Sequence, residues 1–569
     1  MKKTIMIAGA AGAGINTSEL FLERMLKHEG YNILSYKNYM SRVRGGYNYA
    51  TITIHKETVN SCESHADIFI ALNKEALDKS ERMLKQGGIV IASDALKSTD
   101  AEVDEKSVKW IKQEDLSEVS HSKNAFSMCA IGIIATHLGL DKSVLNGLHM
   151  AKWDEKTNSE NLKAAVYGYD VLADRDEGLD SALENIPEHQ RTDEKGRMLI
   201  NGNQSVALGA LAAGVSFYSA YPMAPSTGIM SYLAAHEREM GIIVEQAEDE
   251  IAAMMAAIGA SSNGVRAMTG TSGGGFALMV EALGFAAVSE IPLVACNVQR
   301  PGPATGLPTR TEQADLSFVV SASQGEFPRV VLAPLSVEDA FYATFRAFNL
   351  AEKYQIPVLL LTDQLLADST QSVPRFKTEA LQIERHLLTE KVTDYKRYDF
   401  ENIFGNRKYP GIDDETLIMT DSHVHDEYGH VTEDETMTIQ LKQKFLKRIE
   451  AIKEELTEPV FYGAKDHETL FICWGSTYGA LKDAVDVLNK QGKKVAMLAF
   501  RDVFPIREDV LDKYVGKSEI VGVEGNAFNQ FAKLLRMETG IKFSGYINKY
   551  DGRPFTEDFI VEQFNKRGE

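Results

Sequence analysis

Short apolar runs recur along the whole chain, each stopping at a glycine, a proline or a polar residue and leading into a helical stretch. Ile5-Met6-Ile7-Ala8, Asp67-Ile68-Phe69-Ile70-Ala71-Leu72 and Gly88-Ile89-Val90-Ile91-Ala92 open the series. Phe217-Tyr218-Ser219-Ala220-Tyr221, Val265-Arg266-Ala267-Met268-Thr269, Pro292-Leu293-Val294-Ala295-Cys296-Asn297 and Pro357-Val358-Leu359-Leu360-Leu361-Thr362 continue it. Thr469-Leu470-Phe471-Ile472-Cys473-Trp474, Lys494-Val495-Ala496-Met497-Leu498 and Glu519-Ile520-Val521-Gly522-Val523-Glu524 close it. Such runs fit strands covered on both faces, with the intervening helices as the cover. The fold class is therefore α/β, with a mostly parallel sheet expected for the runs between 217 and 362, and ligands should meet the loops at the C-terminal ends of its strands.

A chain of 569 residues needs more than one core. The polar stretch 174–195 separates a first α/β domain, 1–180, from a second, 196–375. Patterning then weakens through a charged linker, 376–460, which a helix of alternating charge closes. A third α/β domain fills 461–569. The net charge of -20 repels nucleic acid and anionic membrane surfaces, so neither is an expected partner. The four cysteines, Cys62, Cys129, Cys296 and Cys473, form no C-x-x-C pair. No zinc or iron–sulfur ligand set, and no other metal site, is expected on this chain. Their wide spacing fits a reducing compartment, and no apolar run has the length of a bilayer span. A cytoplasmic location follows as an expectation.

Several turns carry the chemistry. Gly9-Ala10-Ala11-Gly12-Ala13-Gly14 joins the first strand to a helix expected near 17–27. Such a turn either packs strand against helix or faces an anion. A nicotinamide dinucleotide would also want an acidic residue after the second strand, and Tyr31-Asn32-Ile33-Leu34-Ser35-Tyr36 has none. Arg42-Val43-Arg44-Gly45-Gly46 reads equally as a solvated loop or as one that contacts an anion.

The densest region runs from 217 to 316. Tyr221-Pro222-Met223-Ala224-Pro225-Ser226-Thr227 ends a strand and starts a helix whose N-terminus could hold a carboxylate, or be capped by Ser226 or Thr227. Glu250 opens an Ala-rich helix, either as a structural cap or as a carboxyl that manages a cofactor's proton. Thr271-Ser272-Gly273-Gly274-Gly275 is a second strand-to-helix turn that exposes backbone N–H groups. Arg300 ends a third strand, where a guanidinium can grip a carboxylate through two N–H groups. His423, His425 and His430 lie in the charged linker without regular metal-ligand spacing, which counts against a metal site there.

These blocks resemble the 2-oxoacid:ferredoxin oxidoreductases, specifically the α subunit with a fused N-terminal γ domain. The most specific part is Glu248 to Arg300 with Leu307-Pro308-Thr309-Arg310-Thr311-Glu312-Gln313-Ala314-Asp315. Trp474-Gly475-Ser476-Thr477, Val523-Glu524-Gly525-Asn526 and Tyr550-Asp551-Gly552-Arg553-Pro554-Phe555 look like the family's C-terminal domain. The resemblance implies a γ-type domain, a thiamine diphosphate pyrimidine-binding domain and a transketolase C-terminal-like domain. It implies CoA-dependent oxidative decarboxylation of a 2-oxoacid, 2-oxoglutarate being favoured, with electrons passed to ferredoxin or flavodoxin.

It further implies that Glu250 hydrogen-bonds the cofactor's aminopyrimidine, with Thr271, Ser272 and Gly273 beside it. Arg300 would hold the substrate carboxylate, with Tyr221, Ser226 and Thr227 around it. Arg44, Gly45 and Gly46 would form a coenzyme A or active-site loop. This chain has no Gly-Asp-Gly motif and no cysteine set, so Mg²⁺, the diphosphate site and the iron–sulfur cluster are expected on a separate β subunit in an (αβ)2 complex. Ala224 stands where the family usually has threonine: either Ser226, Thr227 or a water replaces the lost hydroxyl, or substrate recognition differs. Ala224 is also what favours the alternative, a non-catalytic or regulatory subunit that keeps the fold. Gln204 stands where the family often has glutamate and is assigned no role.

Overall fold

The computed structural model describes residues 2–40, 45–97, 107–173, 196–414 and 416–567. They group into two compact units, and both are α/β.

The first unit spans the chain to Ile200 and adds Ser369–Arg375 and Thr556–Phe559. Its eight-stranded sheet has the order Val108–Ile111, Leu84–Ser93, Ala66–Ala71, Lys3–Ala11, Gly45–His55, Asn32–Asn38, Thr370–Pro374, Arg197–Asn201. Two of its strands thus come from the ends of the region 196–375. Ile5, Ile7, Ile52, Ile54, Ile68 and Ile70 fill the core beneath the helix Ile15–His28. That helix joins Lys3–Ala11 to Asn32–Asn38, but Gly45–His55 lies between them and is antiparallel to both. A dinucleotide-binding crossover places its first two strands side by side and parallel. This topology removes the basis for the nicotinamide reading.

Gly45 and Gly46 are not in a loop. They begin the strand Gly45–His55, because the first strand runs on past Ala8 and pairs Ala11 with Gly45. Both have positive φ, 76° and 74°, and the Asn48 amide donates to both of their carbonyls. Arg44 lies outside the described residues.

The second unit holds two sheets. The seven-stranded sheet has the order Asp502–Phe504, Val330–Leu332, Pro357–Asp363, Leu293–Gln299, Ala267–Thr271, Phe217–Ala220, Ile243–Gln246. It is parallel except for Asp502–Phe504, which pairs antiparallel with Val330–Leu332. The five-stranded sheet has the order Val460–Gly463, Val495–Phe500, Thr469–Trp474, Glu519–Glu524, Gly545–Asn548. One core joins the two sheets: Met254, Phe276, Leu283 and Leu359 from one side cluster with Leu470, Trp474, Leu498 and Phe531 from the other. Gln204, without a role in the sequence, closes a capping box with Asn201 at the start of the helix Gly202–Ala212.

Among the described residues, the chain between Pro374 and Glu435 forms no helix or strand. Buried charge fastens it. Glu352 receives Arg266 at 3.1 Å, Arg385 at 2.9 Å and Arg407 at 2.9 Å. Glu290 receives Lys444 at 2.8 Å and Arg448 at 2.9 Å, both from the helix Glu435–Glu455, while Arg397 donates to its carbonyl. Paired this way, the buried ions avoid the full desolvation cost that an isolated one would carry.

Candidate active site

The site is assembled at the C-terminal ends of neighbouring parallel strands in the second unit. Asp249 caps the helix Glu250–Ser262, its carboxylate accepting from Ala252 N at 2.8 Å. The cap fixes the first helical residue, Glu250, whose side chain turns inward and is only 3 % exposed. Glu250 Oε1 is buried with no hydrogen-bond partner. An unmet buried acceptor costs about 1–3 kcal/mol, which a bound donor would offset. Space beside it is kept by Gly275, where a Cβ would collide with Glu250 Oε1 and Thr271 Oγ1.

Thr271 ends the strand Ala267–Thr271, and Ser272 is the N-cap residue of the helix Gly273–Val288. Both side chains are buried. Ser272 makes no side-chain cap, and its Oγ also lacks a partner. The structure therefore brings Glu250, Thr271, Ser272 and Gly273 to one place, with two polar atoms unspent.

Arg300 follows the strand Leu293–Gln299 and is half-buried. Its Nη1 donates to the Ala224 carbonyl at 2.7 Å. Burial pulls the Arg300 guanidinium below its ordinary pKa, and the nearby Asp315 offsets part of that. Ala224 thus serves through its backbone, which any residue type would supply. Ser226 is buried at 2 % exposure, and its hydroxyl donates to the Met223 carbonyl at 2.7 Å. It neither caps the helix Thr227–Ala235 nor faces outward. Thr227 is half-buried, and Tyr221 is exposed at the strand end.

Three residues to which the sequence assigned no role of their own complete the arrangement. Asn297, buried in the same strand that leads to Arg300, donates from Nδ2 to Asp315 Oδ2 at 3.1 Å. Burial raises the Asp315 carboxyl, while the Asn297 bond and Arg300 pull it back. Gln313 ties the loop to the five-stranded sheet. Its Nε2 donates to Trp474 O at 2.9 Å, and its Oε1 accepts from Thr477 Oγ1 at 2.7 Å and Gly525 N at 2.9 Å. A polar residue set between Val294-Ala295-Cys296 and Val298 was the available signal for Asn297.

The histidines stay in the linker. His423 pairs with Asp421 and His430 with Asp426, while His425 is buried with its ring nitrogens 3.0 Å from the Asp426 and Val288 carbonyls. Among the described residues no group of His, Cys, Asp or Glu is placed to hold a metal ion, and no helix is long and apolar enough to cross a membrane.

Two family models match: pyruvate ferredoxin/flavodoxin oxidoreductase over residues 4–171, and the thiamine diphosphate-binding part of pyruvate flavodoxin/ferredoxin oxidoreductase over residues 208–445. A 2-oxoacid:ferredoxin oxidoreductase subunit alpha from a Sulfolobus species is 31% identical over 619 aligned residues, covering 100% of this chain and 97% of that protein. The chain belongs to the 2-oxoacid:ferredoxin oxidoreductases, as an α subunit. This family also includes the structure of the 2-oxoglutarate:ferredoxin oxidoreductase from Magnetococcus marinus, solved with 2-oxoglutarate, coenzyme A and succinyl-CoA bound. It covers 100% of both chains with a TM-score of 0.90 at 29% identity. The 2-oxoglutarate synthase subunit KorA of Methanocaldococcus jannaschii is 34% identical over 57% of this chain and 87% of its own length. The α subunit is thus part of a multi-subunit oxidoreductase.

Proposed function

We propose that this α subunit carries half of a thiamine diphosphate active site and that the complex converts a 2-oxoacid and coenzyme A into an acyl-CoA and CO2, passing two electrons to ferredoxin or flavodoxin. 2-Oxoglutarate is the favoured substrate, in keeping with the names of the Magnetococcus and Methanocaldococcus relatives. A separate β subunit, in an (αβ)2 complex, would supply the Mg²⁺ and diphosphate site and the iron–sulfur cluster. The proposed division is a γ-type domain at 1–180, a pyrimidine-binding domain at 196–375, a linker at 376–460 and a transketolase-like domain at 461–569.

The observation that carries this reading is the buried, unpartnered Glu250 Oε1 beside the cleared face of Gly275. A carboxyl in that setting fits a ring nitrogen of the aminopyrimidine. When bound, thiamine diphosphate supplies the nucleophilic carbon and the electron sink for loss of CO2. Glu250 holds the proton at the pyrimidine ring nitrogen and so favours the imino tautomer. Thr271, Ser272 and Gly273 wall the ring. Arg300, pinned at Nη1 by the Ala224 carbonyl, presents its remaining N–H groups to the substrate carboxylate. Tyr221 and Thr227 flank that position, and Ser226 braces the turn from inside.

The helices Glu250–Ser262 and Gly273–Val288 are apolar nearly all round, yet Ile251, Met255 and Leu278 are exposed on them. Helices of that composition are normally covered on every side. We assign this face, next to Glu250, to the β subunit. The test is co-expression with the β chain and an assay of 2-oxoacid-dependent dye reduction with coenzyme A. The expected result is turnover highest with 2-oxoglutarate and abolished by Glu250→Ala with the subunits still associated. No turnover with any common 2-oxoacid would refute the assignment.

A further inference from the structure

We infer that Asn297 Oδ1 is a further ligand-binding acceptor of this site, that it receives an N–H or O–H from the bound cofactor or substrate, and that Asp315 is the positioning residue that aims it. The inference rests on the thiamine diphosphate reading above and adds a contact to it.

Asn297 is 2 % exposed and lies in register beside Thr271 on the adjacent parallel strand. It sits in an apolar run, between Val294-Ala295-Cys296 and Val298, where a polar side chain is expensive unless it is used. Its two amide atoms have opposite fates. Nδ2 donates to Asp315 Oδ2, whereas Oδ1 is buried and meets no partner. An ionised carboxylate only accepts, so the amide nitrogen must face Asp315 and the oxygen must face away. A flipped amide would set oxygen against oxygen. Asp315 is itself held in place. Its N–H donates to Gln299 Oε1 at 3.0 Å, and Gln299 Nε2 donates to the Thr362 carbonyl at 3.1 Å. Asp315 also lies against Gly273, where a Cβ would fall 2.5 Å from Oδ2. The chain Thr362–Gln299–Asp315–Asn297 thus locks one rotamer whose acceptor is left over. Ser272 Oγ and Glu250 Oε1 are the other unspent atoms of the neighbouring turn and helix start. Three buried polar atoms on adjacent elements are thus left without partners, and one polar ligand could meet them.

The test uses the α–β complex, with thiamine diphosphate and Mg²⁺ titrated by fluorescence quenching and the 2-oxoacid titrated by steady-state kinetics. Asn297→Ala should weaken thiamine diphosphate binding about tenfold with KM for the 2-oxoacid unchanged if the donor belongs to the cofactor. It should raise KM or lower kcat about tenfold with cofactor affinity unchanged if the donor belongs to the substrate. Asp315→Asn keeps the shape but lets the neighbouring amide meet Asn297 either way round. It should therefore give a smaller loss in the same constant, without a change in the thermal midpoint, and it serves if Asn297→Ala does not fold. Both constants within about twofold of wild type in either soluble variant would overturn the inference. A wild-type complex that binds no thiamine diphosphate would instead overturn the underlying reading as well.

Discussion

Gly275→Ala separates stability from function at this site. Gly275 is the third residue of the helix Gly273–Val288, and its φ lies outside the left-handed region. Alanine is therefore free of backbone strain there and should gain up to about 1 kcal/mol in helix propensity. The added Cβ would overlap Glu250 Oε1 and Thr271 Oγ1 and lie 2.7 Å from Glu250 Cδ. Both neighbours are buried, so relief requires Glu250 to leave its position. Overpacking of this kind costs about 1–3 kcal/mol. The gain offsets part of the cost, and the thermal midpoint should fall by only about a few degrees. Glu250 can then no longer meet the pyrimidine ring, and turnover of the α–β complex should fall by about 100-fold or more. The assay pairs thermal denaturation with 2-oxoacid-dependent dye reduction. Near-wild-type turnover in a folded Gly275→Ala complex would show that Glu250 does not act where its carboxyl now lies.

Glu290→Gln would leave Lys444 and Arg448 buried without their counter-charge, and denaturant unfolding should show a loss of about 3–5 kcal/mol. Burial pushes the Glu290 carboxyl up, but Arg448 and Lys444 outweigh it and hold it down at about 2, so its contribution is complete above about 4.5 and is lost as pH falls toward 2; the gap between wild type and variant should close over that window. Arg300→Lys keeps the charge but not the fork, so KM for the 2-oxoacid should rise about tenfold or more in steady-state kinetics, and an unchanged KM would remove Arg300 from the substrate. Met255→Glu on the exposed apolar face should leave the α subunit folded by circular dichroism and prevent its co-purification with the β subunit.

The site was partly legible because some of its signals are local. The Asp249–Glu250 start of an Ala-rich helix and the Ser272 turn are set by neighbours a few residues away, so their types alone located them. Asn297 and Asp315 are 18 residues apart, and their bond exists only because the intervening loop returns to the strand end. Gln313 reaches Trp474 and Gly525 across 161 and 212 residues, a pairing no spacing encodes. Ser226 looked available for a ligand from its position after Pro225, but the turn points its hydroxyl back at Met223.

The same division holds for the whole chain. Apolar runs and glycine stops by themselves determined that it is α/β, where the central strands lie and which of their ends carry polar groups, because burial of a strand is written in its own residues. Only the tertiary structure decided which strands are neighbours. It set Gly45–His55 between the first two strands, and it drew Thr370–Pro374 and Arg197–Asn201 into the first sheet. Register and sheet order are set by contacts between segments far apart in sequence, and those contacts leave Glu250 Oε1 and Asn297 Oδ1 unmet.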